Sequence, residues 1–344
     1  MNRAALLKLA GQVLRLPTAP YHEHAVRDFV TGYCRQLGLP VASDKAGNLF
    51  IRYRHRVAGA PVVFVAHMDH PGFEALGPNR AQFLGGVPLE LLKGARIRFG
   101  SVRANVRRVH RDKQLDIVAD GPLRAGEPGM WDLPAFAVRG DRLQAVAIDD
   151  VLGVAAVLAA LTDLVRANVP AHVWAVFTRA EEVGFPGAVT VARSGKIPRR
   201  ALVVSVEMSK ERPWARIGHG PVVRVGDRLS MFDPAATWHL ETAARAGRIR
   251  LQRALMDGGT CEASAFAAFG YRVGGLCLPL GNYHNIGPGT RPRRENVSVA
   301  DLNRLVGLIV QGARQWRGFG SLRQSLRRRV WQIYRRAPRR WGKL

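Results

Sequence analysis

The 344-residue chain is expected to fold as an α/β protein built on a mainly parallel sheet, with a small β domain inserted into it. Two observations predict this. Short apolar runs alternate with helix-patterned segments in the first 71 residues and again from residue 149, as in sheets whose crossovers are helices. Between them, residues 72–148 hold only short β-like runs broken by glycines, such as "GARIRFGSVRANVRRV" and "QLDIVADG". The main domain therefore reads as 1–71 plus 149–318, the inserted β-rich domain as 72–148, and the end, 319–344, as a basic amphipathic tail.

The elements follow in order. "MNRAALLKLAGQVLRLPTAP" reads as an amphipathic helix, because Arg and Lys interrupt any apolar core of the kind a signal peptide needs. Val26, Phe29, Val30 and Cys34 lie near helical spacing and predict a second helix. "DKAGNLFIRY" predicts a strand after Gly47-Asn48, and "APVVFVAHMDH" a buried strand that ends in polar residues. After the insertion, "VLGVAAVLAALTDLV" is apolar on all sides and predicts a buried helix. "HVWAVFTRAEE", "RALVVSVEMSK" and "RVGGLCLPLGNYHN" predict strands, with "GAVTVARSG" a short helix among them. Thr260 is the expected cap of a helix in "DGGTCEASAFAAFGY", and Ser298 and Asp301 open the last helix of the main domain.

Composition bounds the function. No apolar run reaches the ~18 residues of a membrane span. Cys34, Cys261 and Cys277 are widely spaced and odd in number, which fits neither a disulfide framework nor a zinc knuckle and suits a reducing cytoplasm. The net charge of +26 can attract nucleic acid or anionic membrane. In the tail, Leu322, Leu326, Val330 and Ile333 form one apolar helical stripe, flanked by Arg323, Arg327, Arg328, Arg335 and Arg336.

The polar residues at the strand ends carry the chemistry. His67 and Asp69 follow one apolar strand, Asp149 and Asp150 precede the buried helix, Glu181 and Glu182 follow the next strand, and Glu207 and His284 follow two more. Ligands of open α/β sheets gather at the carboxyl ends of the strands, so these groups are expected to converge on one edge. A His at a strand end is usually just a hydrogen-bonded loop residue, Asp-Asp before a helix a cap, and Glu-Glu solvated surface. All of the strand ends together point to a metal site. His, Asp and Glu without Cys suit zinc, cobalt or manganese. Five ligands exceed one tetrahedral ion and suit two ions sharing one carboxylate. The charges of Asp149, Glu182 and Glu207 nearly balance two divalent ions, leaving room for one activated water. The paired glutamates then divide the labour, one as ligand and one as a free carboxylate base.

In this order, "AHMDHPGF", "AIDDVLG", "TRAEEVGFPGA", "VSVEMS", "GGTCEASAF" and "NYHN" resemble the dinuclear zinc exopeptidases of the M42, M28 and M20 families, from about residue 17 to 315. The 80 residues from Asp69 to Asp149 leave room for a small β domain, as in M42 aminopeptidases. M20 enzymes instead carry a larger lid between the equivalents of Glu207 and His284. The resemblance implies a zinc-exopeptidase fold and two divalent ions, zinc first, held by His67, Asp149, Glu182, Glu207 and His284. Asp149 is the implied bridge, Asp69 orients His67, Glu181 is the implied general base, and Asp149-Asp150 is often a cis peptide in the family. The chain departs from the usual M42 pattern at Val151, at Cys261-Glu262 after "GGT", and in having Glu where Asp is frequent at position 207. The expected activity is removal of N-terminal residues from short peptides by a cytoplasmic homo-oligomer. Glu262 and Asp257 are candidates for holding the substrate amine. Two other readings stay open: an amidohydrolase of N-acyl amino acids using the same ions, and a nucleic-acid or anionic-membrane-surface binding protein.

Overall fold

A computed structural model describes residues 1–336; the last part of the expected tail, 337–344, lies outside the described residues. The main domain begins with α1 (Arg3–Val13), α2 (His24–Gln36), β1 (Val41–Ser43), β2 (Leu49–His55) and β3 (Val62–His67). The insertion follows as β4 (Gly72–Gly77), β5 (Arg80–Leu84), the single turn α3 (Leu89–Leu92), β6 (Arg96–Phe99), β7 (Val102–Val109), β8 (Gln114–Ala119) and β9 (Pro128–Trp131). A hairpin, β10 (Phe136–Arg139) and β11 (Arg142–Ala145), leads back to the main domain. There α4 (Val151–Arg166), β12 (Ala171–Thr178), α5 (Pro186–Arg193), β13 (Leu202–Lys210), β14 (Val222–Gly226) and α6 (Pro234–Ala246) follow in turn. The chain closes with β15 (Gln252–Leu255), α7 (Glu262–Ala268), β16 (Arg272–Leu280), β17 (Glu295–Ser298), α8 (Val299–Gln315) and α9 (Phe319–Arg336).

Eight strands form the main sheet in the order β1-β2-β12-β3-β13-β16-β14-β15. Its centre, β12, β3, β13 and β16, is parallel throughout. Strands buried on both faces need no alternation of apolar and polar residues, which explains the continuous runs "VVFVAH" and "LVVSVEM", buried from end to end. α4 lies under this centre against α1 and α8. Thirteen of its sixteen residues are buried, so an all-apolar surface is what the position requires. Ser298 caps α8 by accepting from the Asp301 amide at 3.1 Å. The cap of α7 differs from expectation. Cys261, in extended backbone, starts that helix without a side-chain bond, and Thr260 stands one residue outside it.

Strands β4-β5-β8-β7-β6-β9 close into a small barrel. Its interior is an aromatic cluster: the Phe73 ring meets Trp131 and Phe83 edge-on, with centroids 5.1 and 5.2 Å apart. The barrel ends at Trp131, whereas β10 and β11 pair outside it, with β11 running antiparallel to β17. That pairing sets Ala145 opposite Glu295 and brings a distant carboxylate beside residues 148 and 149.

Candidate metal centre

The four central strands all run the same way, so their carboxyl ends share one edge, and there the predicted residues meet. β3 ends on His67, which pairs in register with Thr178 at the end of β12. Glu207 sits on β13, and His284 follows β16 in a 3₁₀ turn. Glu181 and Glu182 leave β12 through Ala180, whose left-handed backbone (φ 58°) turns the chain sharply.

Asp149 is the centre of the arrangement. One carboxylate oxygen lies 3.6 Å from His67 Nε2, and the other lies 3.6 Å from His284 Nε2. Glu207 is 3.9 Å from His67 Nε2, and Glu182 is 3.2 Å from His284 Nε2. Glu181 stands 4.0 Å from His67 Nε2. The peptide between Asp149 and Asp150 is cis. Asp150 is buried as well; it accepts the His67 amide at 3.3 Å and leaves its other oxygen without a partner. Gly153 makes room for it, since a Cβ there would fall 2.1 Å from the Asp150 carboxylate.

Each side chain is held from behind. His67 Nδ1 donates to the Asp69 carbonyl at 3.2 Å, and His284 Nδ1 donates to the Gly86 carbonyl at 2.9 Å. Both imidazoles therefore present Nε2 to the cluster with its lone pair free for a cation. Gly86 belongs to the insertion, so the barrel domain itself aims one of the two histidines. The Asp69 carboxylate lies 3.4 Å from His67 Nδ1 and accepts the amides of Glu181 and Glu182, each at 3.0 Å. One buried aspartate thus orients an imidazole and pins the glutamate pair.

The sequence reading had no signal for Glu295, yet it supports both halves of the cluster. One of its oxygens accepts the amides of Ile148 and Asp149 at 2.8 and 3.0 Å, and the other accepts the His284 amide at 2.8 Å. His70 and Asn285, also unpredicted, form a buried chain beneath Asp149: His70 bonds to the Asp149 carbonyl and, at 2.9 Å, to Asn285. Residues behind metal ligands typically contribute 10–100-fold in affinity. Glu295→Gln replaces one acceptor oxygen with an NH₂ facing backbone amides. It is expected to weaken zinc affinity about 10–100-fold, measured by competition with a chelating dye.

The electrostatics demand added positive charge. Asp69, Asp149, Asp150, Glu207, Glu262 and Glu295 are buried within or around the cluster, with Glu181 and Glu182 half-buried beside them. Burial and then neighbouring carboxylates push Glu207 up to about 7, although His67 and Arg224 oppose the shift. Burial also pushes Glu262 up to about 8. Burial alone would lower the imidazoles. For His67 the carboxylates of Asp149 and Asp69 outweigh it, for His284 those of Glu182 and Asp149, and both stand well above the ordinary histidine range. Protons thus gather where cations would sit. Asp149 Oδ1, Glu182 Oε1 and His284 Nε2 are buried without hydrogen-bond partners. Ligand atoms of His67, Asp149 and Glu182, and of His67, Asp150 and Glu207, lie within 4.8 Å of one another. Orphaned buried acceptors on hard oxygen and imidazole ligands fit divalent ions.

A cavity of about 60 Å³ opens onto this edge. His67, Asp149, Glu181 and Glu207 line it on one side, and Lys210, Arg212, Arg224 and Tyr283 elsewhere. Arg224 is a buried guanidinium; it donates to Ser209 at 3.3 Å, and its Nε has no partner. Neither Glu262 nor Asp257 lines the cavity. Glu262 is buried behind it and accepts from the Thr178 hydroxyl.

Known proteins share this arrangement of chain. A family profile described as M42 glutamyl aminopeptidase matches residues 116–288, half of the chain. A protein of Acetivibrio thermocellus named for aminopeptidase activity is 26% identical over 322 residues, covering 84% of this chain and 93% of its own. Among solved structures, aminopeptidase APDkam598 from Desulfurococcus kamchatkensis superposes with a TM-score of 0.78 at 22% identity, over 94% of this chain and 98% of that one. The TET1 peptidase of Pyrococcus horikoshii, described as assembling into a tetrahedron or a large octahedral shell, gives 0.76 at 22% identity, over 92% and 100%. These structural likenesses establish the fold, and the profile match establishes the lineage: the chain belongs to the M42 peptidase family.

Proposed function

We propose that the chain is an aminopeptidase that hydrolyses the first peptide bond of short peptides with two divalent ions, zinc foremost. The observation that carries this is the placement of Asp149, with one oxygen toward each of two imidazoles. His67 and Glu207 would hold one ion, His284 and Glu182 the other, and Asp149 both. When bound, such a pair acidifies a water and polarises the scissile carbonyl. Glu181 lines the cavity beside His67 and has the position of a base that is not itself needed as a ligand. It takes the proton of the attacking water as the C–O bond forms. It then gives that proton to the departing nitrogen as the C–N bond breaks. Asp69 keeps Glu181 and Glu182 from exchanging places, because it holds both of their amides.

The cavity also suggests which substrates fit. Arg224, Lys210 and Arg212 give it three cations beside the reacting edge, and a buried guanidinium with a free N–H favours a carboxylate. An acidic N-terminal residue is the matching side chain, in keeping with the glutamyl aminopeptidase description of the family. The same cations would suit the α-carboxylate of an N-acyl amino acid, so the decisive panel contains both kinds of substrate. The metal-loaded protein is expected to cleave glutamyl- and aspartyl-p-nitroanilide in preference to leucyl-p-nitroanilide, and to leave N-acetyl amino acids intact. Arg224→Met should lower kcat/KM for the glutamyl substrate roughly 10–100-fold, the size of a charged hydrogen bond, with a much smaller change for leucyl. Deacylation without aminopeptidase activity would refute the assignment.

Homo-oligomeric assembly is proposed from relatives described as a dodecamer and as tetrahedral or octahedral shells. A cytoplasmic setting is proposed from the three free, buried cysteines. Among the described residues, no helix is long and apolar enough to cross a membrane. Contact of the basic tail with an anionic surface would be separate from this reaction, since no residue of α9 lines the cavity.

A further inference from the structure

We propose that α9 is a peripheral anchor that lays the protein on an anionic lipid bilayer, a property independent of the peptidase chemistry. Only the start of the helix is docked. Phe319 packs edge-on against Trp316 at 5.0 Å, Arg272 lies over the Phe319 ring at 4.3 Å, and Leu322 is buried. Exposure then climbs along the apolar stripe, from 9% at Leu322 to 45% at Leu326, 58% at Val330 and 64% at Ile333. Beyond Leu322 the apolar stripe is therefore left uncovered by the body of the protein. Tyr334, one turn from Val330, widens that face, and Trp331, also exposed but further round the helix, stacks on it at 5.0 Å.

The charge along the same helix selects the occupant. Arg323, Arg327, Arg328, Arg329 and Arg335 flank the stripe, and α9 contains no Asp or Glu. Pairing with α9 of a second copy would bring arginine rows together with no carboxylate between them. RNA would satisfy the arginines and leave the aliphatic stripe in water. A bilayer with anionic headgroups satisfies both. Aliphatic side chains enter the acyl boundary, Trp and Tyr sit at the interface, and arginine stems lie along the apolar surface with their guanidiniums among phosphates. Beside the helix, a crevice of about 330 Å³ between α6 and α9 is lined by Trp238, Arg245, Arg328 and Arg329. Its three guanidiniums suit a lipid phosphate.

The full chain is tested by co-sedimentation with phosphatidylcholine vesicles containing about 30 mol% phosphatidylserine, and with phosphatidylcholine alone, across a salt series. Binding is expected only with phosphatidylserine, and it should fall at least about tenfold between ~0.1 and ~0.5 M salt. Arg327→Gln with Arg328→Gln should cost about 25-fold, near fivefold per guanidinium. Val330→Asp with Ile333→Asp keeps every arginine and should still cost at least about tenfold. Should that variant not fold, Leu326→Ser carries the same test, with an expected loss of about fivefold or more. Undiminished vesicle binding by the stripe variants would overturn the proposal. So would equal binding to neutral vesicles, an α9-dependent RNA gel shift by the full chain without vesicle binding, or an α9-dependent dimer that ignores vesicles.

Discussion

Glu181→Gln is expected to keep both metal ions and to lose at least about 10²–10⁴-fold in kcat, the usual contribution of a general base. The geometry gives the reason. Glu182 lies 3.2 Å from His284 in the proposed ligand set, whereas Glu181 lines the cavity 4.0 Å from His67. An amide at position 181 keeps the shape and cannot take a proton. Elemental analysis of the purified variant should match the parent while turnover of the glutamyl substrate collapses. The reciprocal change, Glu182→Gln, should lower metal content. A Glu181→Gln protein that emptied, beside a Glu182→Gln protein that stayed filled, would reverse the two roles.

Asp149→Asn should be at least as severe, through a different cause. Asp149 is the one carboxylate that faces both imidazoles, so its loss is expected to empty both positions and take activity below detection. Removing the ions from the parent with a chelator should do the same, with recovery on adding zinc or cobalt. The metal-free protein also has a predictable response to pH. Burial raises the folded-state pKa of Glu207 to about 7 and of Glu262 to about 8, against ordinary values near 4.5. An acid raised on folding contributes stability that is present below its unfolded pKa and lost as pH rises through the folded one. The metal-free protein should therefore melt at a lower temperature at pH 8 than at pH 5. Zinc should restore more stability at pH 8, where its ligands have already lost their protons. Equal melting temperatures with and without zinc at pH 8 would contradict the assignment of these carboxylates.

The parallel sheet and the placement of the chemistry were legible in the sequence for one reason. A charged or polar group within or at the end of a fully buried strand is costly unless something uses it. "VVFVAH" ends in His67, and Glu207 is the penultimate residue of "ALVVSVEM", inside β13 rather than after it; both stand at the shared edge. Roles within the set came from resemblance to known peptidases, because residue type alone does not separate Glu181 from Glu182. What could not be read was whatever depends on long-range pairing. Glu295 follows "TRPRR", a stretch with the look of solvated surface, and it is buried only because β17 pairs with β11, about 150 residues earlier. Arg224 reads as an interruption in an apolar run, until β14 turns antiparallel to β16 and brings it to the cavity. The Gly86 carbonyl that aims His284 is a backbone group and leaves no trace in residue type. Thr260 was the natural choice for a cap, but the helix begins one residue later and frees Thr260 to line the cavity.

The most direct test of the central claim is anomalous diffraction at the zinc edge from crystals grown with zinc. Two peaks are expected on either side of the Asp149 carboxylate, one against His67 and Glu207, the other against His284 and Glu182, with Glu181 bound to neither. A single peak, an empty cluster, or Glu181 ligating in place of Glu182 would contradict the account.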